Sequence, residues 1–167
     1  MGRAYLALGA NLGDAFATLE QALAFIRHSD DFQVTAVSAF YRTAPVEARG
    51  PDFCNAVIEV NTPLSPEELL TRCLSIEEDF GRIRSTKNAP RTLDIDVIAI
   101  DGVQSHTATL TLPHPRAHER AFVLVPLCEL NPLTMLGPSG ATLASAAQWL
   151  DRLGPVTSQD ITRWSQT

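Results

Sequence analysis

The apolar positions from Ala4 to Gly9 form a short run closed by Gly9 and Gly13, which predicts a strand. Asp14 is then placed to cap a helix whose Phe16, Leu19, Leu23 and Ile26 recur at helical spacing. Phe32 to Tyr41, rich in Val, Thr, Phe and Tyr, predicts a second strand. A loop follows from Thr43 to Asp52, with two prolines and a glycine, and Phe53 to Val60 predicts a third strand. Ser65-Pro66-Glu67-Glu68 is the clearest helix start: Ser65 caps, Pro66 suits the first turn, and Glu68 completes a capping box. That helix is expected to reach Phe80 and stop at Gly81. Thr92 to Ile100 predicts a fourth strand, Asp101-Gly102 a hairpin turn, and Ala108 to Leu112 its returning partner. A helix is expected from about Arg116, interrupted at Pro126, and another from Ala141 to Leu153. The tail after Gly154 is expected to be loosely held.

The order β-α-β-β-α-β, with an added hairpin and C-terminal helices, predicts an α+β fold. Its helices are expected on one face of a mostly antiparallel sheet. At 167 residues the chain suits one domain over 1–167. A chain of that length buries about 68–70% of its unfolded surface, so the core needs no staples. No apolar run reaches the ~18 residues that would span a bilayer. The start, Met1-Gly2-Arg3-Ala4-Tyr5-Leu6, lacks a signal-peptide layout, so a cytoplasmic protein without a membrane partner is expected. Cys54, Cys73 and Cys128 are far apart and form no C-x-x-C pair, which predicts buried thiols rather than a zinc site or disulfide framework. The formal charge of −6 argues against nucleic acid as a partner. One segment departs from that average: four of the thirteen Lys and Arg residues fall between Arg82 and Arg91, as a small anion would require or a solvated loop would also show.

The cationic segment leads into the most informative residues. Asp94 and Asp96 alternate on a strand and so share a face, with Ile98 and Ile100 expected further along it and Leu93, Ile95 and Val97 opposite. Two such carboxylates lie roughly 7 Å apart and repel by about 2 kcal/mol at an effective dielectric of about 20. Desolvation in an apolar strand adds to that cost. Ion pairs with Arg82, Arg84 or Arg91, or exposure at the strand end, would relieve it. So would divalent cations held between the carboxylates and a polyphosphate. Magnesium suits the second arrangement, because it takes one or two carboxylates and completes its shell with water and phosphate oxygens. Arginines outside the phosphates would bind oxygens in pairs through their planar forks. Gly81 and Pro90 bracket a loop with hinge-compatible ends.

Lys87-x-Ala89-Pro90-Arg91-Thr92-Leu93-Asp94-Ile95-Asp96-Val97-Ile98 closely resembles the signature of the 6-hydroxymethyl-7,8-dihydropterin pyrophosphokinases of folate biosynthesis. Leu8-Gly9-Ala10-Asn11-Leu12-Gly13-Asp14 resembles that family's opening strand and loop. Phe40-Tyr41-Arg42-Thr43 and Pro51-Asp52-Phe53-x-Asn55-Ala56 resemble its substrate loop and following strand. Pro113-His114-Pro115-Arg116 and Glu119-Arg120-x-Phe122-Val123-Leu124-x-Pro126-Leu127 resemble its late motif. The likeness covers roughly residues 4 to 137 in the family's order.

The resemblance implies a cytoplasmic, monomeric enzyme of ferredoxin-like fold that moves the β,γ-diphosphate of ATP to the pterin hydroxymethyl oxygen and releases AMP. Carried over by position, Asp94 and Asp96 would hold two Mg2+ ions, and Asp96 would draw off the hydroxyl proton. Arg82 and Arg91 would stabilise the transferring group, with Arg84 assisting; His114 and Arg120 would contact nucleotide or phosphate. Phe53 and Phe122 would sandwich the pterin, Asn55 would pair with its amide edge, and the backbone from Thr43 through Ala44 to Val46 would complete the pocket. Glu77 would orient an arginine or the ribose, or merely pair with Arg82. Taken alone, Phe53 and Phe122 would be core residues, Asn55 an edge residue, His114 a turn residue, and Arg116 and Arg120 surface charges; His28, His106 and His118 are read as structural. Two departures stand out. The segment between Arg84 and Asp94 has no tryptophan, unlike some relatives, and Ala44 stands where some have proline.

Two other classes compete. A D-x-D glycosyltransferase also binds a metal–nucleotide pair, but needs a larger nucleotide-binding domain, and no G-x-G-x-x-G is present. A non-catalytic ferredoxin-like RNA module would want exposed aromatic and basic residues on one sheet face, against which the acid pair and net charge both argue.

Overall fold

The computed structural model describes residues 2–44, 50–82, 93–155 and 161–165, with only the backbone at Arg82. The core elements are β1 (Gly2–Ala10), α1 (Ala15–His28), β2 (Gln33–Val37), β3 (Tyr41–Thr43), β4 (Phe53–Thr62), α2 (Pro66–Arg82) and β5 (Asp94–Ile100). Then come β6 (Ser105–His106), β7 (Thr111–Leu112), a 3-10 turn (Ala117–Glu119), α3 (Ala121–Leu130), β8 (Met135–Leu136), β9 (Ala144–Ser145), α4 (Ala146–Leu153) and β10 (Ile161–Arg163). The main sheet runs β10-β3-β4-β1-β5, β2 also pairs with β4, and every pairing is antiparallel. With β2 and β3 counted as one broken strand, this is the α+β arrangement that the element order predicts, and the ferredoxin-like one that the family resemblance implies.

Local chemistry explains the helix starts. Asp14 accepts from Ala17 N–H at 3.0 Å and caps α1. Ser65 and Glu68 exchange the two capping-box bonds, at 2.9 and 3.2 Å, and start α2. α2 then runs through Gly81 to Arg82 rather than stopping at the glycine.

Helices α1 and α2 cover one sheet face. Ala4, Leu6 and Leu8 of β1 pack there with Leu19, Ala22 and Ile26 of α1 and Leu69, Cys73 and Ile76 of α2. The expectation that all helices share this face does not hold, because α3 and α4 cover the other. Tyr5, Val57 and Ile98 cluster there with Val123, Leu124 and Leu127 of α3 and Ala146 of α4. Burial on both faces accounts for the near-continuous apolar runs of β1 and β4.

Other expectations are corrected by long-range pairing. The strand expected over 32–41 breaks after Val37, where Ser38 exchanges hydrogen bonds with Val57 through its backbone N–H and its hydroxyl, both at 2.9 Å. Asp101-Gly102 does turn, with φ +73° at Gly102, but β7 pairs with β6 in a separate small sheet and not with β5. A bulge in the β1–β5 pairing shifts the alternation, so Ile100 joins the α1–α2 side while Ile98 stays with α3. Pro126 lies within α3 and does not interrupt it. It removes one donor to the Phe122 carbonyl, and packing of the helix on the sheet outweighs that loss. The last helix begins only at Ala146, behind a Ser145–Gln148 capping box. The chain after Gly154, expected to be loose, returns as β10 on the sheet edge.

Candidate functional site

The α3-side face of the sheet collects the candidate residues in register. Asp94 lies opposite Gly9, Gly9 opposite Asn55, and Asn55 opposite Tyr41, which forms one row across four strands. Asp96 lies opposite Ala7 in an adjacent row, and Thr43 opposite Phe53 on the other side. The partners of the two acids on β1 are therefore a glycine and an alanine.

Asp94 is exposed and Asp96 half-buried, so the desolvation expected for this pair is small at Asp94. Asp96 forms no ion pair among the described residues. No group of three or more His, Cys, Asp or Glu that could hold a metal gathers among the described residues. A two-carboxylate donor set of this kind fits magnesium, a hard ion that would take its remaining oxygens from water and phosphate.

Behind the acids stands Glu77 of α2, 7% exposed, whose carboxylate accepts from the Ile95 N–H at 2.7 Å. β5 is the edge of the sheet, and Glu77 satisfies an edge donor that lies between the two aspartates in sequence. That contact with the strand backbone was not among those expected for Glu77.

On the far side of the same row, Asn55 and Thr43 are buried, at 6% and 2% exposure. Asn55 Nδ2 donates to Thr43 Oγ1 at 2.6 Å. A Cβ at Gly9 would lie 2.7 Å from Asn55 Oδ1, so glycine is the residue that admits this amide. Sequence reasoning assigned Thr43 only a backbone contact and Gly9 no contact, although a glycine inside an apolar strand was the available signal. Ala44 is half-buried, while Val46 lies outside the described residues.

The 113–120 segment approaches from the other end. His114 N–H donates to Ile98 O at 2.8 Å, which fastens the segment to β5 just beyond Asp96, and His114 Nδ1 accepts from Arg116 N–H at 3.2 Å. Burial pushes the His114 imidazole below its ordinary value; the Asp96 carboxylate opposes this, and Arg120 and Arg116 reinforce it. Arg120 lies 5.6 Å from the Phe122 ring centroid at the start of α3. Phe122 is half-buried against the sheet, as is Phe53, and among the described residues no ring contact joins the two. His118, by contrast, is buried on Trp149 with Nδ1 unpaired.

The structure thus brings together Asp94, Asp96, His114 and Arg120 at one end, and Thr43, Phe53 and Asn55 at the other. Arg84, Arg91 and the Arg82 side chain lie outside the described residues. Two grooves, of about 510 and 750 Å3, lie elsewhere, beside α1 and Trp164 and around the 99–104 turn.

Burial raises the Cys54 and Cys73 thiols to about 12, as expected of inert core residues.

Comparison with known proteins bears on the family and the fold. Residues 5–132 match the family 7,8-dihydro-6-hydroxymethylpterin-pyrophosphokinase (HPPK). The chain is 44% identical over 155 residues to the 2-amino-4-hydroxy-6-hydroxymethyldihydropteridine pyrophosphokinase of Methylorubrum extorquens, covering 92% of this chain and 97% of that protein. It is 41% identical over 128 residues to the Bacillus subtilis protein of the same name, covering 76% and 77%. The crystal structure of Plasmodium falciparum HPPK-DHPS aligns with a TM-score of 0.70 at 13% identity, over 97% of this chain and 44% of that one. At that identity the structural likeness speaks for the fold alone.

Proposed function

The chain belongs to the 7,8-dihydro-6-hydroxymethylpterin-pyrophosphokinase family, and on that premise we propose how its residues divide the transfer of diphosphate to the pterin alcohol. It is a pyrophosphokinase of folate biosynthesis, and neither the glycosyltransferase nor the RNA-module reading applies. ATP is the proposed donor. The hydroxymethyl oxygen of 6-hydroxymethyl-7,8-dihydropterin attacks the β-phosphorus, the bond from that phosphorus to the α-phosphate bridging oxygen breaks, and AMP leaves.

Asp94 and Asp96 are the proposed holders of two Mg2+ ions, which when bound would neutralise phosphate charge and align the chain of oxygens. Asp96, the more buried of the two, is also the proposed acceptor of the hydroxyl proton. His114, held neutral by burial, and Arg120 contact the nucleotide. Arg82 and Arg91 offset charge on the moving group and Arg84 assists, as planar guanidinium forks do for phosphate oxygens. Asn55, oriented by Thr43, reads the pterin's amide edge, with Ala44 and Val46 beside it. Phe53 and Phe122 supply the stacking faces, since a flat heteroaromatic prefers rings above and below and hydrogen bonds at its rim. Glu77 steadies the strand that presents the acids. On the same reading the chain works as a single domain over 1–167, as a cytoplasmic monomer, with no nucleic-acid or membrane partner. Its acidic balance supports the absence of a nucleic-acid partner, and among the described residues no helix is long and apolar enough to cross a membrane.

The observation that carries the proposal is the row on one sheet face that runs from the buried Asn55 amide through Gly9 to Asp94, with Asp96 in the adjacent row. AMP release with pterin, ATP and magnesium tests it. Wild type is expected to release AMP only when pterin is present, and Asp96→Ala to lose at least about a thousandfold, since single electrostatic stabilisers already account for about 10²–10³. Pterin-independent release would indicate simple hydrolysis and contradict the proposal.

A further inference from the structure

The row that holds Asn55 does not end at Tyr41. Tyr41 lies opposite Arg163 of β10, so the sequence of partners is Arg163, Tyr41, Asn55, Gly9 and Asp94, from the C-terminal strand to the acid pair. In the neighbouring row Ile161 lies opposite Thr43, which lies opposite Phe53. β3 is three residues long and carries the only described hydrogen-bond partner of the Asn55 amide. Without β10 its outer edge would present unpaired backbone groups.

Beyond β10 the chain adds an anchor on the opposite sheet face. Trp164 N–H donates to Phe40 O at 2.8 Å, and the ring centroid lies 6.2 Å from that of Phe16, which in turn lies 5.0 Å from Phe40. The Arg42 guanidinium carbon lies 3.9 Å from the Trp164 ring centroid. Phe40 and Arg42 flank Tyr41, so Trp164 grips β3 from the α1 side. Glu129 of α3 grips it from the other side, accepting from Ala39 N–H at 3.1 Å and from the Tyr41 hydroxyl. Residues 161–164 lie beyond the stretch that matches the family, which ends at 132.

We propose that Trp164 is a positioning residue for pterin recognition, which holds β3 in the register that lets Thr43 fix the Asn55 amide. The inference rests on the functional reading above. Trp164 lies on the α1 side of the sheet and Asn55 on the α3 side, so its effect on the amide passes through β3 rather than by direct contact. The amide orientation is the sensitive quantity: Nδ2 on Thr43 turns Oδ1 toward Gly9, and loss of that bond frees the side chain to rotate. Asp94 and Asp96 lie on β5, which β4 and β1 separate from β3, and His114 is bound to β5 through Ile98, so their arrangement is expected to persist.

Steady-state kinetics on the full chain, with pterin and ATP varied separately, test the proposal. Trp164→Ala is expected to raise the pterin KM about tenfold, with kcat and the calorimetric nucleotide Kd within about twofold of wild type. Trp164→Phe, which keeps an aromatic ring against Phe16, is expected to restore the KM to within about threefold. Combined with Thr43→Val, Trp164→Ala should add nothing further, because both act on the same amide. An unchanged KM, a parallel loss of nucleotide affinity, or full additivity with Thr43→Val would overturn the assignment. If Trp164→Ala does not fold, Arg42→Ala uncovers the other face of the same ring; a KM raised about threefold supports the proposal and an unchanged one overturns it. Wild-type turnover in the same assay tests the underlying activity, so the two failures are distinguishable.

Discussion

At the scale of single residues, two close contacts define the ends of the site. Gly9 gives way to the Asn55 amide, and an added methyl would sit 2.7 Å from Oδ1. Gly9→Ala is therefore expected to weaken pterin affinity about tenfold (about 1.4 kcal/mol) while nucleotide binding persists. Calorimetry with each ligand separates the two, and equal loss of both would contradict the assignment. At the other end, Glu77→Ala leaves the Ile95 N–H without its buried acceptor, at a cost of about 1–3 kcal/mol. A lowered Tm together with a loss of turnover is expected. An unchanged Tm would show that Glu77 does not steady β5.

At the scale of elements, the starts of α1 and α2 were legible because they are local. Ser65-Pro66-Glu67-Glu68 and Asp14 carry their capping partners within three residues. The bulge that turns Ile100 away from Asp94 and Asp96 was not legible, because it depends on how β5 pairs with β1, some ninety residues earlier. The break at Ser38 likewise depends on Val57 and Glu129. That break has a pH signature. Burial first, and the hydrogen bond to Glu129 second, raise the Tyr41 phenol above its ordinary value. The unfolded phenol ionises near pH 10, while the folded one stays neutral to higher pH. Its contribution is therefore present in full below about pH 10 and lost as pH rises through the folded value. Thermal unfolding between about pH 9 and 11 should fall more steeply for wild type than for Tyr41→Phe. Parallel curves would contradict this account of the clamp.

At the scale of the whole molecule, the α+β class and the succession of strands and helices along the chain follow from alternating local patterns. The covering of both sheet faces does not, because it depends on where α3 and α4 dock. The acid pair was legible as a shared face, and so was its likeness to a phosphate-handling site. The C-terminal strand was hidden, since a three-residue edge strand carries almost no periodicity of its own. These layers leave Asp94 exposed and Asp96 half-buried on a supported edge strand, opposite small residues of β1. The central claim is that this pair anchors divalent ions against the nucleotide's phosphates. Calorimetric titration of ATP, with magnesium or with EDTA, into wild type and into Asp94→Asn/Asp96→Asn tests it most directly. Wild type is predicted to lose at least about tenfold in affinity on chelation, and the double variant to bind weakly with or without the metal. A double variant that keeps wild-type, magnesium-dependent affinity would contradict the claim.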